Sequence, residues 1–202
     1  MSQIKLKHSG GNSVIIAAPD SNPASDRTLK LPSNADGEIL TTTNPISGTT
    51  VQRVQTTTHT RTDTTSTTFV STAHTVTITP IFANSKILVN FSTIVNTNGT
   101  NHRAIVDVYR SIAGATATGI APVGSGQTVG ANNNSGFFGG IRADNSRLQA
   151  PTTINYLDSP SYSLGNSIVY TLHIRSSNGS VVEVPSTSNE EPCINMVTEI
   201  AA

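Results

Sequence analysis

The sequence predicts an all-β fold, an antiparallel jelly-roll sandwich preceded by a short β-rich N-terminal segment, and three observations predict it. Apolar and polar residues alternate with a period of two in run after run, and no stretch carries a helical period. Each run is closed by a cluster of Gly, Asn, Ser and Pro, the residues that turn a chain. Thr, whose β-branched side chain suits the pleat, dominates the approach to the central runs. The 202 residues fit one sizeable domain and an appendage, placed here at 49–202 and 1–48.

The organising stretch is SKILVNFSTIV, Ser85 to Val95. Ile87, Val89 and Phe91 alternate with Leu88, Asn90 and Ser92, which predicts a central strand buried on nearly both faces. Before it, Val51–Thr58 reads as a strand and His59–Thr65 as irregular; the bland alternative for this Thr repetition is a solvated edge or spacer. Phe69-Val70 and His74–Thr79 lead in through Pro80. After it, Arg103–Ile112 places Ala104, Val106, Val108 and Arg110 on one face, with Ile105, Asp107, Tyr109 and Ser111 on the other. Ala113–Asn145 is too long for a structureless connector, so it is expected to be a functional loop or to carry short strands. Thr152–Leu157, Ser167–Arg175, Val181–Val184 and Ile194–Ile200 complete about eight strands, the jelly-roll number.

Residues 1–48 differ in texture. Val14–Ala17 and Leu29–Pro32 read as brief strands, with turns at Asp20–Pro23 and Ala35–Gly37. Such a segment cannot bury enough surface alone. It is therefore expected to be an ordered attachment or trimerisation segment, with Ile15, Leu29 and Leu31 as oligomer-interface candidates; a flexible leader is the other reading. Thr41–Thr50, with Pro45 and Gly48 as breakers, reads as a linker.

Charge narrows the function classes. Twelve Lys/Arg balance twelve Asp/Glu and only 12% of residues are charged. Nucleic-acid binding and a membrane footprint both call for a basic excess, so neither is expected, and no run is apolar enough for membrane insertion. Cys193 stands alone, and the N-terminus shows no apolar signal core, so folding in a cytoplasm is expected. A Thr/Asn-rich, all-β surface protein made in a cytoplasm is reconciled by a virion assembled in the host cell.

Side chains with chemistry are scattered. His8, His59, His74, His102 and His173 show no zinc-type spacing; HTRTD, His59 to Asp63, comes nearest. No metal and no cofactor are expected. A glycan-cleaving fibre would need paired carboxylates, for which Asp107, Asp144, Asp158 and Glu183 are the candidates. Asp158 in LDSP reads more simply as a turn former, and Asp107 as an Arg partner. Trp is absent and aromatics are 4%, no Gly-x-Ser-x-Gly occurs, and Cys193 reads as a small hydrophobe. No catalytic residue and no enzyme are expected. The Gly-rich stretch Val123–Gly140 lacks the ending of a phosphate loop. Its Asn132, Asn133, Asn134, Phe137 and Phe138 form either a receptor-contact tip or, for the phenylalanines, a plug of core or trimer interface.

Two phrases carry a resemblance. NSVIIAAPDSNPASDRTLKLPSNADGEIL, over about the first fifth of the chain, resembles a segment of bacteriophage tail-fibre and other virion appendage proteins, through Ala18, Pro19, Ser21, Asn22, Pro23, Arg27, Thr28, Leu29, Leu31, Pro32, Asp36, Gly37, Ile39 and Leu40. From Val51 to Ala202, the TITP…SKILV entry, YLDSPSYSLGNSIVYTLHIRS and the final INMVTEI are similar to C-terminal domains of phage fibres and to trimeric jelly-roll heads of the tumour-necrosis-factor and complement type. The resemblance implies a homotrimer whose final strand is buried, making Ile194, Met196 and Ile200 interface candidates. It implies a tail fibre attaching to a host-surface receptor, glycan or protein, and docked on other virion proteins, a tail adaptor or the capsid. A capsid-surface decoration, cement or head-fibre protein is the alternative.

Overall fold

Among the described residues, strands form where the period-two runs predict them. The computed structural model describes residues 3–7, 9–11, 13–17, 45–121, 138–144, 146–185 and 191–202. None of these residues is α-helical, so no helix among them is long and apolar enough to cross a membrane. The chain divides into two units, Met1–Ile39 and Leu40–Ala202.

In the first unit, β1 (Gln3–Lys7) and β2 (Ser13–Ala17) form an antiparallel hairpin registered from Gln3 opposite Ala17 to Lys7 opposite Ser13. Gly11 turns it with φ +98°, a backbone region that costs glycine little. A two-stranded hairpin alone is marginal in water. Ile15 lies in β2 opposite Lys5. Leu29, Leu31, the strand expected at Leu29–Pro32 and both expected turns lie outside the described residues.

The second unit is a sandwich. Its strands are β3 (Thr50–Thr58), β4 (Thr62–Thr64), β5 (Val70–Ile78), β6 (Lys86–Thr97), β7 (His102–Ile112), β8 (Thr118–Gly119), β9 (Gly139–Ala143), β10 (Leu148–Asp158), β11 (Ile168–Ser176), β12 (Val182–Val184) and β13 (Cys193–Ile200). In sheet one, β6 is central: β10 runs along one side of it, and β13 followed by β12 along the other. β3 and β4 close the far edge on β13 and β12. In sheet two the order is β5-β11-β7, with β8 and β9 successively on the outer side of β7. If β8 and β9 count as one edge strand and the short β4 and β12 are set aside, sheet one takes the first, eighth, third and sixth strands. Sheet two takes the second, seventh, fourth and fifth. The chain crosses between sheets at every step but the fourth-to-fifth, which is jelly-roll order.

The core lies between the sheets. Ile87, Val89, Phe91 and Val95 of β6, Ile154 of β10 and Val197 of β13 meet Val106 and Val108 of β7, Tyr170, Leu172 and Ile174 of β11, and Val76 and Ile78 of β5. All are 3% exposed or less. The expectation for β6 needs one correction. Its inward face is closed, but Leu88, Asn90 and Ile94 on the other face are only half-buried, because nothing within the unit covers that side fully. His59–Thr65 was expected to be irregular, yet Thr62–Thr64 forms β4, recruited by β12. Val184–Thr62 pairing gives these residues backbone partners that composition does not announce.

Most polar groups inside the sandwich are paired, Thr93 Oγ1 and His74 Nδ1 being exceptions among the described residues. Asp158 is no mere turn former: its carboxylate takes Arg110 Nη1 at 2.7 Å on each oxygen and Tyr170 Oη at 2.8 Å. Glu199, fully buried, accepts the Ile81 and Phe82 amides at 3.0 Å, Ser85 Oγ at 2.8 Å and Gln52 Nε2 at 2.6 Å. Burial pushes its carboxyl up, but those four donors more than offset it and hold the pKa below the ordinary glutamate value. His102 is buried between Thr97 and Ser176, reaching Ser176 Oγ at 2.9 Å. Burial lowers the pKa of His102 and of His74. Cys193 sits in the core as the small hydrophobe expected, its thiol pushed up to about 11 by burial.

Candidate functional site: the outer face of sheet one and the pocket at its end

Alternation along β6, β10, β13 and β3 decides what sheet one shows outward. Cross-strand register assembles the face row by row. The first row is Leu157, Leu88, Thr198 and Arg53; the second is Asn155, Asn90, Met196 and Gln55; the third is Thr153, Ser92, Ile194 and Thr57. Pro151 and Ile94 follow, then Gln149, Asn96 and Glu183. Leu157 is 45% exposed and Ile194 40%. Across the second and third rows there is no charged residue. Asn90 Nδ2 donates to Asn155 Oδ1 at 3.0 Å, while Asn90 Oδ1 and Thr198 Oγ1 are buried without a hydrogen-bond partner.

This face explains the uneven spacing of the last strand. Ile194 and Met196 point outward, whereas Val197 points into the core; Ile200 is half-buried at the strand's end. The interface candidates Ile194 and Met196 therefore share one outward face, which they complete with Leu88 and Leu157. Sequence reasoning missed those two partners, because an alternating run does not reveal which of its faces remains open.

At the end of the face remote from Thr50 the chemistry changes. Arg61, Asn96, Asn98, Arg147, Val181 and Glu183 line a pocket of about 350 Å³. Short strand β12 brings Glu183 beside Asn96 on β6 and opposite Asp63 on β4. Arg61 Nη2 pairs with Glu183 Oε1 and Asn96 Nδ2 donates to Glu183 Oε2. Arg147 Nε donates to Asn96 Oδ1 at 3.1 Å, and its Nη2 lies 3.8 Å from Glu183 Oε2. The Asn98 amide, donating to Val181 O at 3.3 Å, fixes the rim. Glu183 keeps 12% of its side-chain surface against 36% for Arg61 and 46% for Arg147. The carboxylate forms the floor of the pocket and the guanidiniums its walls.

The other outer face is closed at its middle only: Ser71, Ala73, Thr75 and Thr77 along β5 are exposed. On sheet two, Ile105 and Asp107 are 1% and 2% exposed. Tyr109 stacks on His173 with centroids 3.9 Å apart, Phe69 lies 5.6 Å from Tyr109, and the Arg175 guanidinium sits 5.2 Å from the Phe69 ring. Asp107 was expected to pair with an arginine. Instead its Oδ1 accepts the Val108 amide at 2.7 Å, and burial pushes its pKa up to about 7. His173, directly opposite it in register, is pushed down to about 4 by burial.

The remaining candidates do not converge. Asp107 lies on the outer face of sheet two, Asp158 points between the sheets, Glu183 lies on the outer face of sheet one, and Asp144 is on the β9–β10 turn beside Arg142, 2.8 Å away. Phe138 packs against the core, its ring 5.1 Å from Tyr156; this is the plug among its two readings. Asn132, Asn133, Asn134 and Phe137 lie outside the described residues. The stretch they belong to leaves and rejoins the sheet at one place, since Ile120 N bonds to Val108 O at 2.9 Å and Phe138 N to Val106 O at 3.2 Å.

Fold and faces together define a class: an antiparallel jelly-roll sandwich whose sheet one turns Leu157 and Ile194 into solvent. No protein-family model matches the chain, and no curated protein matches it. A solved structure of infectious bursal disease virus, Gt strain, is similar at 13% identity over 95% of this chain and 52% of that one, with a TM-score of 0.21. The chain spans about half the length of that neighbour. The likeness is too slight to bear on function.

Proposed function

We propose that this protein is a homotrimeric virion appendage, most simply a phage tail fibre, whose jelly-roll head attaches to a host-surface receptor and whose N-terminal segment docks on other virion proteins. The observation that carries the reading is the open outer face of sheet one. Its three complete rows across four strands span roughly 20 by 20 Å, or roughly 400 Å², about half of what one partner contributes to a standard interface. A second and third copy are fitting occupants, because the middle of the face holds Ile194, Met196, side-chain amides and hydroxyls and no charge. Sequence phrasing supports the virion setting, and the marginal β1–β2 hairpin is the kind of element that gains from neighbours. The reading is one of binding without catalysis, in keeping with the dispersed carboxylates. Host contact would be strengthened by three linked heads acting together.

Light scattering on the full chain tests the assembly. A mass three times that of the chain, reduced to one by Ile194→Asp, is expected. A monomer in both forms would overturn the trimer. Labelling of whole particles with an antibody against residues 49–202 separates the two locations: signal at the tail tip is expected, whereas signal distributed over the shell would assign a capsid decoration protein instead.

A further inference from the structure

The outward face of sheet one does not by itself supply a standard interface. Its three complete rows give roughly 400 Å², about half of one partner's usual share, so an assembly built on it needs further contact. Apolar surface adjoins it at the Thr50 end, where the chain enters the sandwich. Pro45, Thr49, Thr50, Val51, Ile81 and Phe82 line a pocket of about 220 Å³ there. Val51 stands two residues along β3 from Arg53 of the first row, about 7 Å away. No lining residue is charged, and the volume falls short of the roughly 300–1,000 Å³ of small-molecule sites. The space suits one aliphatic side chain.

Both walls of this pocket are fixed by bonds within the chain. The Ile81 and Phe82 amides donate to the buried Glu199 carboxylate at 3.0 Å, and Phe82 O accepts Tyr162 Oη at 2.6 Å. On the other side, Gly48 N donates to Ala201 O at 2.8 Å and Thr49 O accepts from Ala201 N at 2.9 Å. A preformed pocket loses little freedom when it is filled. A knob stands beside the hole. Ile46 follows Pro45 directly yet is 57% exposed, and Ile81 on the pocket wall is 54% exposed. Ile46 thus lies outside the pocket that its neighbour lines, on a turn closed by Thr49 N donating to Ile46 O at 3.0 Å. A chain that carries a knob and a separate hole pairs head to tail, and head-to-tail contacts that close make a ring.

We propose that Ile46 of one copy seats in the entry pocket of the next, against Ile81 and Phe82, and that three such contacts close a ring. Seating removes both isoleucines from water, the main driving force of association. The inference deepens the trimer reading by naming what fills this pocket, and rests on that reading for the number of copies.

The test is disulfide trapping on the full chain. Cys193 is the one native cysteine and is buried, so introduced thiols report alone. Chains carrying Ile46→Cys and chains carrying Ile81→Cys, with different affinity tags, are co-expressed and mildly oxidised. A cross-linked pair bearing both tags is expected as the main product. Val181→Cys, exposed at the opposite end of sheet one, should link to Ile46→Cys at least tenfold less. Ile46→Asp, at a side chain more than half in solvent, should leave the fold of the single chain intact. It should raise the concentration at which light scattering shows dissociation by tenfold or more. Links only between identical positions, or unchanged assembly in Ile46→Asp, would overturn the proposal. So would a link within one chain between Leu40→Cys and Ile81→Cys in place of the link between chains, which would give the pocket to the chain's own upstream segment. Light scattering keeps the two readings apart. A trimer with no link between positions 46 and 81 would sink the pocket contact and leave the trimer. That link in an assembly of two or four copies would sink the trimer and leave the contact, and a monomer would sink both.

Discussion

Sheets one and two bury similar side chains between them and differ in what they turn outward. Sheet two closes the middle of its outer face itself: Ile105 and Asp107 are closed off, with the Tyr109–His173 stack, Phe69 and Arg175 beside them, while the outward residues of β5 stay exposed. Sheet one leaves Leu157 and Ile194 in solvent and places unpartnered polar atoms of Asn90 and Thr198 between them. Buried polar atoms without partners cost stability in a lone chain. His173 Nδ1 on sheet two lacks a partner too, so the difference lies in apolar exposure: among the described residues, sheet one alone turns large apolar side chains, Leu157 and Ile194, into solvent. That difference is what the proposed assembly rests on.

Substitutions of one kind on the two faces should therefore diverge. Ile105→Asp puts a charge where no partner waits and should cost on the order of 3–5 kcal/mol, a large share of a domain's stability, read as a fall in the denaturant midpoint. Equal midpoints for Ile105→Asp and wild type would erase the distinction. Gly140→Ala should cost about 1–3 kcal/mol, since a Cβ there would stand 2.5 Å from the Ala104 carbonyl oxygen and β9 would have to move off β7. Ile194→Asp should change the stability of the isolated chain by no more than about 0.5 kcal/mol while abolishing the trimer.

Acidity sharpens the same contrast. Asp107 is raised by burial from an ordinary 3.8 to about 7, so its contribution is fully present below pH 3.8 and is lost as pH rises through 7. His173 is lowered from 6.5 to about 4, so its contribution is present above pH 6.5 and is lost as pH falls through 4. The two opposed residues are thus both uncharged between about pH 4 and 7. Asp107→Asn should flatten the alkaline side of the stability profile, and His173→Gln the acid side, in melts run across that range. Profiles unchanged by either substitution would show that this face is wetter than its packing indicates. Glu199 adds to the loss on the acid side: with its pKa held low, its stabilisation disappears as pH drops below the ordinary glutamate range.

Much of this architecture is legible in the sequence because alternation and turn chemistry act locally. Every expected strand from Val51 onward has its counterpart, and the weight placed on Ser85–Val95 is met by the central position of β6. What escaped depends on pairing across the chain. β4 exists because β12 reaches it over more than a hundred residues, and neither is long enough to be marked by composition. The pocket escaped for the same reason. Arg61, Asn96, Arg147 and Glu183 come from four separate segments, and Glu183 was noticed only as a carboxylate. The faint signal was there in HTRTD, whose Arg61 proved more informative than its histidine. Asp158 was misread because a turn sequence conceals a side chain aimed inward at Arg110, 2.7 Å away.

The excursion that departs after Ile120 and returns at Phe138 is anchored on two carbonyls only two residues apart, those of Val106 and Val108. Closing a longer chain between fixed neighbouring posts adds little, about 0.6 kcal/mol for each doubling of length, and the ladder beneath it is indifferent to what is spliced in. This edge is consequently a natural grafting port. Lengthening the chain between Ile120 and Phe138 should therefore leave the melting curve of the sandwich nearly unchanged.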